Sequence, residues 1–126
     1  MIINVTTTNM AQTATTGVAF VTVEKDDANI THVSGNDSSA DLVTPATFVV
    51  RVYDIDAQRG ATSPGAIVNF NVTFTGVYNK FVGSNTTNST GHATFNFLPA
   101  CDDGFQTGAQ NWIAEINDTE ENYKQN

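Results

Sequence analysis

Along this chain hydrophobic residues recur at every second position, in short runs divided by polar, glycine-bearing stretches. The alternation is plainest from Ala66 to Thr75. Val68, Phe70, Val72 and Phe74 share one face there, and Asn69, Asn71 and Thr73 share the other. Ala46 to Asp54 repeats it, with Phe48, Val50 and Val52 opposite Thr47, Arg51 and Tyr53. His92 to Leu98 sets Ala93, Phe95 and Phe97 against Thr94 and Asn96, and Asn111 to Ile116 aligns Trp112, Ala114 and Ile116. A period of two is the mark of a half-buried β-strand. Gly17 to Glu24 reads as the first strand and Tyr78 to Val82 as a short connecting one. Lys25 to Pro45 is polar and turn-rich, with an irregular edge strand expected at Ile30 to Val33. The polar run from Asn85 to Thr90, closed by Gly91, predicts a tight turn feeding the strand at His92. Loops are expected at 54–65 and 99–110.

No stretch keeps a 3.6-residue period with helix caps, so the chain is expected to be all-β. Short strands between Gly/Pro/Asn loops predict a sandwich or a Greek-key barrel. With 126 residues there is room for one such domain, placed at residues 18–126. Residues 1–17 stand apart. They are almost all Thr, Asn, Ala and Gln, with Ile3 and Val5 as a minimal alternating pair. That is too little apolar surface to fold alone. The segment is either a disordered leader or a strand that needs another sheet to lie on.

Composition narrows the function. A net charge of −8, from 13 acids against 5 bases, leaves no basic stripe for nucleic acid or an anionic membrane surface. No apolar run reaches the roughly 18 residues that span a bilayer, and Met1-Ile2-Ile3-Asn4 lacks the charged start and apolar block of a signal peptide. The single Cys101 permits no internal disulfide. N-x-Ser/Thr occurs at Asn4, Asn29, Asn36, Asn71, Asn85, Asn88 and Asn117. Chance at this composition gives roughly three such sites. The excess points to an extracellular, N-glycosylated surface; a Thr/Asn-rich surface without sugar is the plainer reading.

The order of the pieces is also informative. V-R-V-Y-D at 50–54, P-G-A-I-V-N-F-N-V-T at 64–73, T-N-S-T-G-H-A-T-F-N-F at 87–97 and N-W-I-A at 111–114 follow one another. This order resembles the bacterial Ig-like domains of the invasin/intimin type, and more so their relatives in archaeal surface proteins. The resemblance covers about residues 46 to 117. It implies an Ig-like Greek-key β-sandwich from extracellular stalks, adhesins, filaments or surface layers. In that family a further alternating strand closes the sandwich after the one matching Asn111–Ile116. Here Thr119 to Asn126 offers one apolar residue, so the closing strand is expected to be missing.

Candidate chemistry is sparse. Asp54 and Asp56 could chelate calcium together with Asp102 and Asp103 if their loops meet, although the EF-hand spacing is absent. Otherwise these are solvated loop carboxylates. His32, His92 and Cys101 show no metal or nucleophile spacing, and Cys101 is expected to be a buried thiol. Trp112 is expected in the core and Tyr53 on an outer face. With no nucleophile motif, no enzyme activity and no cofactor are expected. The leading expectation is a structural subunit or module of an extracellular filament or cell-surface stalk. It would self-associate into a homopolymer by strand addition, Ile3, Val5 and Met10 of one copy entering a neighbour. The alternative is a carbohydrate- or receptor-binding adhesin module, with specificity in loops 54–65 and 99–110. For the N-terminal segment itself, the competing reading is a linker on a chain cut short of its last strand.

Overall fold

The computed structural model describes residues 21–62, 65–73, 79–117, 119 and 122–126. Its elements are β1 (Asp26–Ser34), β2 (Ala46–Asp54), β3 (Arg59–Gly60), β4 (Ile67–Thr73), β5 (Asn79–Thr86), β6 (His92–Phe97), β7 (Trp112–Ile116) and β8 (Tyr123–Gln125). A 3-10 turn lies at Cys101–Asp103. Five strands form one sheet, in which β2 pairs with β1 on one side and with β3 and β6 on the other. β5, β4 and β7 form the second sheet, antiparallel throughout.

The alternation of β4 and β2 decides how the sheets meet. Val68, Phe70 and Val72 turn inward from β4, and Phe48, Val50 and Val52 from β2; all six are buried. Thr47 and Arg51 are exposed, and Asn69 and Asn71 are half-buried on the outer face, as the period of two requires. Aromatic rings bridge the layers. Phe48 stacks on Trp112 at 4.5 Å between centroids, and Phe70 stacks on Phe95 at 5.3 Å. Gly83 on β5 lies under the Phe95 ring, where a Cβ would clash with the ring carbons. The architecture is a β-sandwich.

The turn ahead of β6 begins two residues later than its polar run suggests. Asn85 and Thr86 still belong to β5, and the reversal is made by Thr87 to Gly91. Asn88 Oδ1 accepts hydrogen bonds from the N–H groups of Thr90 (2.9 Å) and His92 (3.1 Å) and from the Thr90 hydroxyl (2.7 Å). Gly91 takes a left-handed φ of 81°. A Cβ there would also sit 2.9 Å from the Gly60 Cα, so two chains cross where only glycine fits.

Three expectations are corrected. Asp26 to Ser34 is one nine-residue strand rather than a short edge piece, and it pairs along β2 up to a bulge between His32 and Ser34. Its inward positions are Ala28, Ile30 and His32, only one of them a large apolar residue, so the sequence shows little contrast. Val21 to Glu24, the described part of the expected first strand, is exposed and not paired as a strand. The expected connecting strand is the eight-residue β5. Phe74, Tyr78 and Gly17 to Phe20 lie outside the described residues.

Candidate functional site

The chain's C-terminal residues give the two sheets an incomplete seam. β8 runs parallel to β1, but only along Asp26, Asp27 and Ala28. Tyr123 is buried in the core at 3 % exposure, so the polar tail does supply one core side chain. Beyond Ala28 no described strand covers the outer edge of β1. No described strand pairs with the outer edge of β7 either.

Which backbone groups face that seam follows from the antiparallel pattern, in which alternate residues point to opposite neighbours. Asn117 N–H bonds to Ile67 C=O and Thr73 N–H to Asn111 C=O, so the odd-numbered residues of β7 turn toward β4. The N–H and C=O of Trp112 and Ala114 therefore turn outward. Ile116, the next in that row, has its N–H bonded to the Gln125 side-chain oxygen at 3.0 Å. On β1 the same reasoning applies. Asp26 N–H and Ala28 C=O bond to β8 residues and their neighbours, while Asp27 C=O accepts from Ile55 on the β2 side. Ile30 and His32 therefore also present their backbone groups to the seam.

The same four residues line the gap with their side chains. A groove of about 300 Å³ opens between the two edges, bounded by Ile30, Val50, Trp112, Ile113 and Ala114 with the polar Thr31, His32 and Asn36 among them. The His32 ring lies 5.6 Å from that of Trp112. The Trp112 Nε1 is enclosed and has no hydrogen-bond partner among the described residues. A buried donor left so costs about 1–3 kcal/mol. The site is thus a trough of mixed polar and apolar lining between two open backbone edges.

The sequons fall around this frame. Asn29 and Asn36 are exposed on β1 and in the turn after it, and Asn71 is half-buried on the outer face of β4. Asn85 donates its Nδ2 to Thr94 C=O at 2.7 Å. Asn88 is exposed, and its bonds fall on Oδ1. Asn117 likewise accepts from the Thr119 N–H and hydroxyl on Oδ1. Of the two sequons three residues apart, Asn88 presents the freer amide nitrogen.

The four aspartates do not converge. Asp54 ends β2, whereas Asp102 and Asp103 follow Phe97, which pairs with Ala46 at the start of β2. Eight residue steps of strand separate the two ends by about 26 Å. Asp54 accepts from Ala57 N–H at 2.9 Å within its own turn, and Asp56 accepts from the Asp27 N–H of β1 at 3.1 Å. Among the described residues no three His, Cys, Asp or Glu side chains gather as a metal site would require. Burial, with the charges of Asp54 and Asp56, raises the Asp26 carboxyl above its ordinary value. Asp27 instead meets the Lys124 ammonium at 3.1 Å. Cys101 is exposed, contrary to expectation, because it opens the surface 3-10 turn instead of facing the core. Trp112 is half-buried, inward as expected but with one side on the groove. Tyr53 is outward, with the Arg51 guanidinium 5.7 Å from its ring centre. Asn4, Ile3, Val5 and Met10 lie outside the described residues.

Compared with protein-family models, with curated proteins and with solved structures, the chain matches none of them.

Proposed function

We propose that this chain is a structural subunit or module of an extracellular, N-glycosylated filament or cell-surface stalk, built on an Ig-like sandwich. Copies of it join by adding a strand from one to the sheet of the next. The observation that carries this reading is the seam, where the edges of β1 and β7 flank a trough floored by Ile30, Trp112 and Ala114 without a described strand between them. Exposed edges of that kind recruit strands from other chains. One end of the sandwich adds support. Val33, Leu42, Val43 and Leu98 are exposed where β1 ends, β2 begins and β6 ends, an apolar tip suited to end-to-end contact. The chain is rich in uncharged polar residues, with 14 % charged, and six of the seven sequon asparagines are described, five of them on outer faces or turns.

The adhesin reading has a weaker footing. It needs convergent polar or aromatic groups in loops 54–65 and 99–110, which leave from opposite ends of β2.

Negative-stain imaging of the full chain tests the assembly reading. Regular fibres are expected, and monodisperse particles at every concentration tried would count against it. Glycopeptide mapping of natively produced protein tests the surface reading. Sugar is expected on Asn88 in preference to Asn85; unmodified peptides at every sequon would remove the glycoprotein assignment.

A further inference from the structure

We propose that the groove between β1 and β7 receives residues 1–10 of a second copy of this chain, paired as an added strand to the free edge of β7. The inference rests on the assembly reading and names its acceptor and its donor. β7 is the better partner edge because its pairing with β4 is regular, whereas β1 is broken by the bulge at His32 and Ser34. An added strand bonds to the outward N–H and C=O groups of Trp112 and Ala114.

The donor is chosen by pattern, charge and connection. In M-I-I-N-V-T the side chains of Ile3 and Val5 fall on one face of a strand and Asn4 and Thr6 on the other. Ile3 and Val5 then cover the apolar floor of Ile30, Trp112 and Ala114 while Asn4 and Thr6 stay in water. A five-residue strand is about 17 Å long, enough to run beside the whole of β7. No charged side chain occurs before Glu24, in a protein whose net charge is −8, so this segment enters without repulsion from the acceptor. A second copy is favoured over the chain's own segment by the position of β8. β8 covers β1 along Asp26–Ala28, immediately after residues 21–25 lead into that strand. The stretch of β1 edge that a strand running straight on from residues 21–25 would meet first is thus already taken. A neighbour's segment enters from the open side, and the contact repeats head to tail without closing.

Disulfide trapping in the full chain tests this. Cys101→Ser removes the exposed native thiol. Asn4→Cys is then combined with Ile113→Cys in one variant and with Glu115→Cys in another. Ile113 and Glu115 turn their backbone to β4, so they form the close, non-hydrogen-bonded pairs with an added strand, whose Cα atoms are about 4.5 Å apart. Both side chains are exposed, and these substitutions leave the core untouched. Under oxidation one of the two variants is expected to convert most of the chain to a ladder of multimers that collapses on reduction. Tryptic peptides 1–25 and 81–124 should be found linked. An intrachain disulfide in monomeric protein, or no disulfide in either variant, overturns the proposal. Fibres seen in the same unligated preparation would then show that assembly survives and the acceptor is elsewhere; no fibres and no ladder would remove both readings.

Discussion

Replacing Phe70 by alanine is expected to cost about 3–5 kcal/mol, measured by chemical denaturation of the full chain. Phe70 sits at 0 % exposure in the middle of β4, the central strand of its sheet. Its ring stacks on Phe95 across the sandwich and tilts against Trp112 at 6.4 Å. Strands on both sides hold β4 in place, so the surroundings cannot collapse into the space, and the cavity adds to the lost transfer energy. Since whole domains are stable by about 5–15 kcal/mol, the variant should be near the limit of folding. Phe81→Ala provides the contrast. That ring is 56 % exposed on β5 and its loss should change stability little. Equal effects from the two substitutions would mean that Phe70 is not enclosed as described.

The second large effect is expected from a single hydroxyl. Thr87 is buried at 7 % exposure in the turn between β5 and β6. Its Oγ1 accepts from Ala66 N–H at 2.8 Å and donates to Ala61 C=O in a short bond. Its own N–H bonds to Ala66 C=O at 2.9 Å. Thr87 thus ties the turn to both ends of the segment that links β3 to β4. Thr87→Val keeps the shape but leaves a buried donor and a buried acceptor unmet, at about 1–3 kcal/mol for each. Thr87→Ser retains the hydroxyl and should recover most of that loss. A valine variant as stable as the parent, or a serine variant as damaged as valine, would show that the hydroxyl does not carry the connection.

Thr87 also explains the motif T-x-x-x-G-x-A at 87–93. Thr87 fastens the turn, Gly91 lets it pass against Gly60, and Ala93, fully buried, starts β6 against Val50. These residues were conspicuous in the sequence, but their reason lies in contacts with residues 52–66. The turn's place was also misjudged by two residues. Asn85 and Thr86 look like turn formers, yet pairing with Val68 and Ile67 keeps them in β5. Cross-strand pairing outweighed local preference there.

What the sequence by itself determined was the all-β class and the facing of β2, β4, β6 and β7. In those strands nearly every inward position is apolar and the outward ones are mostly polar, with Val49, Ile67 and Ile113 the apolar exceptions, so one residue of slip would bury Asn69 and Asn71 and expose Phe70. Only the tertiary structure decided the rest. β1 is a full strand because β2 supplies its partners, although Ala28, Ile30 and His32 carry little hydrophobic contrast. Tyr123 became a core residue because β1 offered Asp26–Ala28 as an edge nearly a hundred positions away in sequence. Where β8 stops, and hence which edges of β1 and β7 stay open around Trp112, depends on pairings between distant segments. Local pattern records which face of a strand is buried; it holds no information on which neighbour that strand will find.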